Sequence, residues 1–125
     1  MPNAARSRWT PPTIWALFIG VLTSWPNPRA LGALPADSDK LGHLVMYAVL
    51  GYLVLRALEV SPARLAAVAG AVLLCAVWGA LDEWHQVLVP GRAAEFADWM
   101  ADAAGGAIGV LARAIQPKPM VPDSA

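Results

Sequence analysis

The stretch Ala80–Gly109, ALDEWHQVLVPGRAAEFADWMADAAGGAIG, decides the architecture of this chain. It contains one Pro-Gly turn between two apolar runs and an unusual density of polar and ionisable residues: Asp82, Glu83, His85, Gln86, Arg92, Asp98 and Asp102. Ionisable groups are costly inside a bilayer, so such a cluster requires mutual pairing, a water-filled cleft or a bound ligand. The stretch therefore predicts two apolar helices that hold a polar site at the turn between them.

The composition of the whole chain is that of a membrane protein. Apolar residues make up 58% of it and charged residues 14%, against roughly 45–50% and about 25% in ordinary soluble domains. The 9 basic and 9 acidic residues give a net charge of zero, so no nucleic-acid partner is predicted. The single cysteine, Cys75, cannot form an internal disulfide.

The apolar runs predict an all-α fold with four transmembrane helices in a small bundle, because a bilayer requires every backbone polar group to be paired locally. We expect a single domain over residues 1–115, followed by a disordered tail over residues 116–125. Thr10 before Pro11-Pro12 and Ser61 before Pro62 are typical of helix starts. The predicted helices cover about residues 10–25, 39–58, 62–85 and 98–115.

Residues 10–25 allow a second interpretation. A basic start, an apolar stretch and the small-x-small step at residues 30–32 are also features of a cleaved signal peptide. The segment Trp25-Pro26-Asn27-Pro28 favours the end of a retained helix instead.

The distribution of Lys and Arg predicts a multi-pass topology with both termini in the cytoplasm. This places six basic residues inside and three outside: Arg6, Arg8, Arg56, Arg64, Arg113 and Lys118 against Arg29, Lys40 and Arg92. In either orientation, the start of helix 2, the end of helix 3 and the start of helix 4 share one membrane face.

Helical spacing then groups the polar residues. Asp39, His43 and Tyr47 are four apart, which places them on one helix face, and Glu83 and Gln86 are three apart. A third series steps by four, three and four along helix 4, and its last two members form a GxxxG step that predicts close helix packing: Asp98, Asp102, Gly105 and Gly109. The small residues Ala66/Gly70 and Gly79 on helix 3 are further candidate contacts between helices.

These residues, in this order, resemble the VanZ-like family of small bacterial membrane proteins. The matching pattern is D-K-x-x-H-x-x-x-Y, E-x-x-Q, V-P-G-R and D-x-x-x-(N)-x-x-G-x-x-x-G, and it covers about residues 39–110. One position departs from it, because Asp102 stands where the family usually has asparagine. An acid there can stay protonated or pair with Arg92, and we expect Asp102→Asn to be tolerated.

The resemblance implies an integral protein of the bacterial cytoplasmic (inner) membrane. It also implies a role at the cell envelope and an association with reduced sensitivity to glycopeptide antibiotics of the teicoplanin type, which act at the outer face of the membrane. The expected partners are membrane lipids, with a lipid-linked envelope precursor or a partner membrane protein as candidates and oligomer formation left open.

Two functions of different classes fit the polar residues. In the first, they bind a lipid-linked or cell-envelope headgroup, with Arg92 recognising phosphate or carboxylate. In the second, the protein is a membrane enzyme acting on a phosphate- or acyl-bearing lipid, with His43 and Glu83 as catalytic residues and Asp39 orienting the His43 ring. The ligand-binding candidates are Asp39, Tyr47, Gln86, Arg92, Asp98 and Asp102. No nucleophilic Ser or Cys accompanies the cluster, which slightly favours binding.

Simpler interpretations remain beside these. The polar residues also fit an interhelical network that fixes the register of the bundle. A metal site built from Asp39, His43, Glu83 and His85 is conceivable, but no compact ligand motif such as HExxH occurs, so we predict neither a metal nor a cofactor. A transporter or proton relay would need several copies of a chain with four helices.

Overall fold

The computed structural model describes residues 2–25, 38–59 and 63–118, with side chains from residue 7 onward. It contains four α-helices: α1 (Pro2–Thr23), α2 (Ser38–Leu58), α3 (Arg64–Gln86) and α4 (Phe96–Ala114). No strand occurs in these described ranges, so the predicted all-α fold is confirmed. The bounds of α2, α3 and α4 lie within two residues of those expected from the apolar runs.

Helix α1 differs from the prediction, because it begins at Pro2 and not at Thr10. Pro11 and Pro12 therefore lie inside the helix, and Thr10 is a helical residue instead of an N-cap. Proline favours the backbone angle φ of a helix, but it lacks the N–H group and its ring crowds the carbonyl group four residues earlier. Two adjacent prolines therefore cost two helical hydrogen bonds but do not force the helix to start there.

The most extensive packing in the bundle is between α2 and α4. Gly105 lies against the backbone of Leu44, and Gly109 lies against the backbone of Ala48. A Cβ atom added to either glycine would overlap the carbonyl group it faces. Contacts between residues 44 and 105 and between 48 and 109 follow the same order in both helices, so α2 and α4 run parallel.

The apolar core occupies the middle of the bundle and includes the thiol of Cys75. Many large apolar side chains nevertheless lie on the outer surface, such as Phe18 on α1, Leu65 and Trp84 on α3, and Ile108 on α4. Helices α2 and α3 are long and apolar enough to cross a membrane by length and composition. The buried core residues are Ile19, Tyr47, Leu50, Val54, Leu55, Ala67, Ala71, Cys75 and Val110.

The two ends of the bundle carry different polar contacts. At one end, Arg113 donates to Oε2 of Glu59 from both Nε (2.9 Å) and Nη2 (2.6 Å). Arg64 donates to the carbonyl oxygen of Ala114 at the same end. At the other end, α1 and α3 finish where α2 and α4 begin, and the buried acids lie there.

Some of the segments predicted at the chain termini and connections lie only partly within the described residues. Gln116, the first residue of the expected tail, accepts a hydrogen bond from the hydroxyl of Tyr52 (2.8 Å). Residues 119–125, the small-x-small step at residues 30–32 and the Ser61-Pro62 pair lie outside the described residues. Helix α3 itself starts at Arg64, after an Ala63 cap with no side-chain hydrogen bond.

Candidate functional site

Eight polar side chains are buried together at the end of the bundle where α1 and α3 finish. Each is at most 6% exposed, although this end of the molecule lies next to the connecting turns. We call this group the acid–histidine cluster, and its members come from all four helices: Thr23, His43, Tyr47, Asp82, Glu83, Gln86, Asp98 and Asp102.

The contact between His43 and Asp102 joins α2 to α4. Nδ1 of His43 lies 2.7 Å from Oδ1 of Asp102. Helix α3 leaves room for this contact because it has glycine at position 79. A Cβ atom at Gly79 would lie 2.9 Å from Cβ and 3.1 Å from Oδ2 of Asp102. The carboxylate of Asp102 is therefore confined between His43 on one side and the backbone of α3 on the other.

Asp82 is a cluster member that the sequence analysis did not select as a site residue. The hydroxyl of Thr23, at the end of α1, donates to Oδ1 of Asp82 at 2.5 Å. Asp82 precedes Gln86 by four residues, so helical spacing places both on one face and could have identified it. Thr23 had no comparable signal, because a single hydroxyl at the end of an apolar helix has no spacing partner.

The turn after α3 positions the start of α4 over the cluster. Pro90 and Gly91 form a turn in which the Arg92 N–H donates to the Val89 carbonyl at 3.1 Å. Gly91 has a φ of +77°, which matches the glycine position of a type II turn. The chain then returns so that the N–H of Glu95 donates to Oε2 of Glu83 at 3.0 Å. This bond ties the start of α4 to the end of α3.

Six polar atoms of the cluster are buried and have no hydrogen-bond partner in the described part of the chain. Buried polar atoms in native proteins almost always have a partner in the protein or in ordered water. Six such atoms in one place have unused capacity to bond a polar ligand, water or an ion. They are Oη of Tyr47, Oδ2 of Asp82, Oε1 of Glu83, Nε2 of Gln86, Oδ1 of Asp98 and Oδ2 of Asp102.

Lys40 lies at the rim of the cluster and provides a positive charge beside it. Its Nζ atom is 3.4 Å from Oε2 of Glu95 and 3.7 Å from Oδ1 of Asp98. The contact with Asp98 is an ion pair without hydrogen-bond geometry, so that carboxylate oxygen keeps its capacity to accept a hydrogen bond.

Arg92 lies outside the cluster. Its half-buried side chain donates from Nε to the carbonyl oxygen of Trp25 (3.0 Å) and from Nη2 to that of Leu22 (3.4 Å). The guanidinium therefore satisfies carbonyl groups at the end of α1. The possible pairing of Asp102 with Arg92 is replaced by the pairing with His43, because Asp102 lies deep between the helices whereas Arg92 lies on the surface turn.

Asp39 lies on the same face of α2 as His43, as its spacing predicted, but the imidazole is bonded to a different carboxylate. It is exposed, one helical turn before the buried His43, and the carboxylate bonded to the imidazole is that of Asp102. His85 is exposed as well, with its Nε2 atom 2.9 Å from the hydroxyl of Ser24. The structure therefore does not bring together the four residues considered as a metal site from the sequence, namely Asp39, His43, Glu83 and His85. Two other groups have metal-ligand spacing: Asp39, His43 and Asp98, and His43, Asp82 and Asp102.

The family model described as VanZ/LLP1 matches residues 3–115. The chain belongs to the VanZ/LLP1 family. Searches of curated proteins and of solved structures found no match.

The family assignment confirms the VanZ-like resemblance and extends it beyond residues 39–110. Together with the apolar helices α2 and α3, it indicates that this VanZ/LLP1 protein is a membrane protein. The acid–histidine cluster is then a polar site at one end of a membrane bundle. Its buried carboxylates can accept hydrogen bonds or hold a cation, and a carboxylate-bonded imidazole can transfer protons.

Proposed function

We propose that this VanZ/LLP1 protein binds the headgroup of a lipid-linked or cell-envelope molecule in the acid–histidine cluster. The observation that carries this proposal is the set of six buried polar atoms without a partner in the described residues. A buried polar atom that is left unpaired is costly, and a polar ligand would pair several of these atoms at once.

The chemistry of these atoms defines the part of the ligand that enters. Four are carboxylate oxygens, which accept hydrogen bonds, one is the amide nitrogen of Gln86, which donates, and the sixth is the hydroxyl of Tyr47, which can do either. A group with several hydroxyl or amine donors, such as a sugar or an amino headgroup, complements this arrangement. A phosphate would be repelled by the acids and fits better at the rim, near Lys40.

An apolar cavity offers a place for the lipid part of such a molecule. It has a volume of about 210 Å³ and lies between α1, α2 and α3. Trp78, one of its lining residues, directly precedes Gly79, which packs against Asp102. The cavity is lined by Trp9, Pro12, Thr13, Ala16, Leu17, Leu50, Val54, Leu74 and Trp78.

The proposal includes four membrane-spanning helices in the bacterial cytoplasmic membrane, with both termini in the cytoplasm. Exposed apolar side chains on α1 and α4 support spans beyond α2 and α3, because lipid would cover them. The excess of Lys and Arg at the Arg113 end supports this orientation. The acid–histidine cluster would then face the outer side, where envelope molecules are exposed.

Labelling of single cysteines tests this topology. In a Cys75→Ala background, a membrane-impermeant maleimide should label Glu95→Cys in intact cells and should label Lys118→Cys only after lysis. The reverse pattern would invert the topology, and labelling of both positions in intact cells would contradict the four spans.

Ligand binding is tested by thermal unfolding of the detergent-purified protein with a panel of lipid headgroups, cell-wall precursors and glycopeptides. A ligand that binds only the folded state raises stability by about 2.7 kcal/mol at one hundred times its dissociation constant. We expect a stabilising ligand whose effect is lost in His43→Ala and kept in His85→Ala, which replaces an exposed histidine outside the cluster. If no ligand stabilises the protein and the His43→Ala variant is unstable, the cluster serves only to hold the helices together.

The family resemblance extends the proposal to glycopeptide tolerance. Expression in a sensitive bacterium should raise the inhibitory concentration of teicoplanin, and His43→Ala at equal membrane abundance should remove the effect. If expression of the wild-type protein leaves the inhibitory concentration unchanged, the protein does not confer teicoplanin tolerance, even if it binds a headgroup.

The alternative function is a membrane enzyme that acts on a phosphate- or acyl-bearing lipid. The 2.7 Å contact between His43 and Asp102 favours it, because a carboxylate-oriented imidazole is a common general acid or base. His43→Ala and Glu83→Gln separate the cases. Lost turnover at normal abundance supports an enzyme, lost affinity with normal folding supports a binding site, and reduced folded protein supports a structural network.

A further inference from the structure

The deeper part of the acid–histidine cluster has the composition and spacing of a cation site. We propose that His43, Asp82 and Asp102 bind one divalent transition-metal cation between the helices. This inference goes beyond headgroup binding and does not depend on it.

The spacing of the three side chains suits a single ion. One ring nitrogen of His43 and one carboxylate oxygen from each aspartate lie within 4.8 Å of one another. In a tetrahedral site, ligand atoms about 2.0–2.2 Å from a zinc ion are roughly 3.4 Å apart, so binding would draw the most distant of these atoms together by up to about 1.4 Å. All three side chains are buried, which keeps bulk water away from the ion.

Each aspartate also presents an oxygen that makes no hydrogen bond to the described residues. Oδ1 of Asp82 accepts from Thr23 and Oδ1 of Asp102 contacts His43, whereas both Oδ2 atoms are buried without a hydrogen-bond partner in the described residues. Protein groups that hold the second oxygen of a ligating carboxylate are a regular feature of metal sites, where they fix the orientation of the ligand. The hydroxyl of Thr23 has this position beside Asp82.

Charge favours a cation in this place. Glu83 and Asp98 are buried near the same three ligands, and Lys40 at the rim pairs with Asp98. Buried carboxylates without a positive partner are strongly disfavoured, and a divalent ion would offset two of them. One imidazole and two carboxylates form a mixed nitrogen and oxygen set, which suits Mn²⁺ or Zn²⁺ better than Ca²⁺ or Mg²⁺.

The neighbouring group of Asp39, His43 and Asp98 is the weaker candidate. Asp39 is exposed, and Nζ of Lys40 lies 3.7 Å from Oδ1 of Asp98. The ammonium group would repel a cation there. Because both groups share His43, only substitutions of the acids can tell them apart.

The test uses the full chain purified in detergent. Protein treated with EDTA and dialysed is titrated with Mn²⁺ or Zn²⁺, and bound metal and the midpoint of thermal unfolding are measured. We expect one equivalent of metal per chain and a higher midpoint. Asp82→Asn and Asp102→Asn preserve the shape of the ligand and should weaken binding more than roughly tenfold. Asp39→Asn and Glu95→Gln, which remove exposed acids, should bind as the wild type does.

Several results would overturn the assignment. Wild-type protein that binds no metal and gains no stability has no such site. Loss of binding in Asp39→Asn but not in the Asp82 and Asp102 variants would place the ion in the other group. Similar losses in Glu95→Gln would reveal adsorption to surface acids.

Discussion

Nδ1 of His43 and Oδ1 of Asp102 are 2.7 Å apart, and both side chains are buried where α2 meets α4. His43 adjoins Leu44, whose backbone lies against Gly105. Asp102 is one helical turn before Gly105 on α4. The polar contact and the glycine contact therefore belong to one interface, in which close backbone packing brings the imidazole within reach of the carboxylate.

Removal of both partners should cost less than the sum of the two single removals, His43→Ala and Asp102→Leu. His43→Ala leaves Oδ1 of Asp102 buried without its contact, which should lower the free energy of unfolding by about 1–3 kcal/mol. The double variant His43→Ala/Asp102→Leu should be destabilised by less than the sum of the two single variants. Unfolding in detergent measures all three, and strictly additive values would show that the contact contributes nothing to stability.

The Asp102→Asn variant should fold, and its free energy of unfolding should lie within about 1 kcal/mol of the wild-type value. Asparagine has nearly the same shape beside Gly79, and its side-chain oxygen can still accept from the N–H of His43. The measurement is the yield of folded protein and its unfolding midpoint, without added metal. Failure to fold would mean that the negative charge itself is required in the bundle.

Gly79→Ala should destabilise the bundle, because its Cβ atom would lie 2.9 Å from Cβ of Asp102. Overpacking of this kind costs typically about 1–3 kcal/mol. Gly70→Ala is the matched control on the same helix, since its nearest neighbour is Cδ1 of Leu58 at 3.7 Å. The control should be neutral or slightly stabilising in the same unfolding assay. Equal effects at the two positions would contradict the close packing of α3 against Asp102.

Gly105→Ala and Gly109→Ala should each be more disruptive than a substitution that meets only a side chain. The added Cβ atom would overlap the carbonyl of Leu44 or Ala48, and a backbone carbonyl in a helix cannot rotate away. We expect a loss of at least about 1–3 kcal/mol. Gly42→Ala is the control, since nothing lies within 4 Å of its Cβ position. Wild-type midpoints for both variants would show that α2 and α4 are farther apart.

Arg113→Lys should weaken the opposite end of the bundle. The guanidinium makes two bonds to Oε2 of Glu59 and one to Gln116, and a lysine ammonium cannot reproduce that planar arrangement. A loss of about 1–3 kcal/mol is expected for hydrogen bonds to buried charged groups. Arg56→Lys, at an exposed position near the same end, should have no measurable effect. If both variants lost a comparable free energy of unfolding, the effect would come from replacing an arginine at this end of the bundle and not from the bonds of Arg113.

Local features of the sequence determined the number of helices and most of their bounds. An apolar run of sufficient length favours a helix wherever it occurs, and the Pro90-Gly91 turn interrupts it between α3 and α4 whatever its neighbours are. The motifs around His43, Glu83 and Asp98 likewise indicated the family, because they consist of residue types at fixed spacing. The start of α1 was the exception, since Pro11-Pro12 is compatible with both a first turn and a helix interior.

Only the tertiary structure decided which of these residues meet. Spacing placed Asp39 and His43 on one face of α2, yet the imidazole contacts Asp102 of α4, and Thr23 of α1 binds Asp82. Spacing within a helix fixes a direction around its own axis. It does not fix the rotation and height of the neighbouring helix, which depend on close backbone contacts at Gly79, Gly105 and Gly109. Those contacts set the partners of the buried acids.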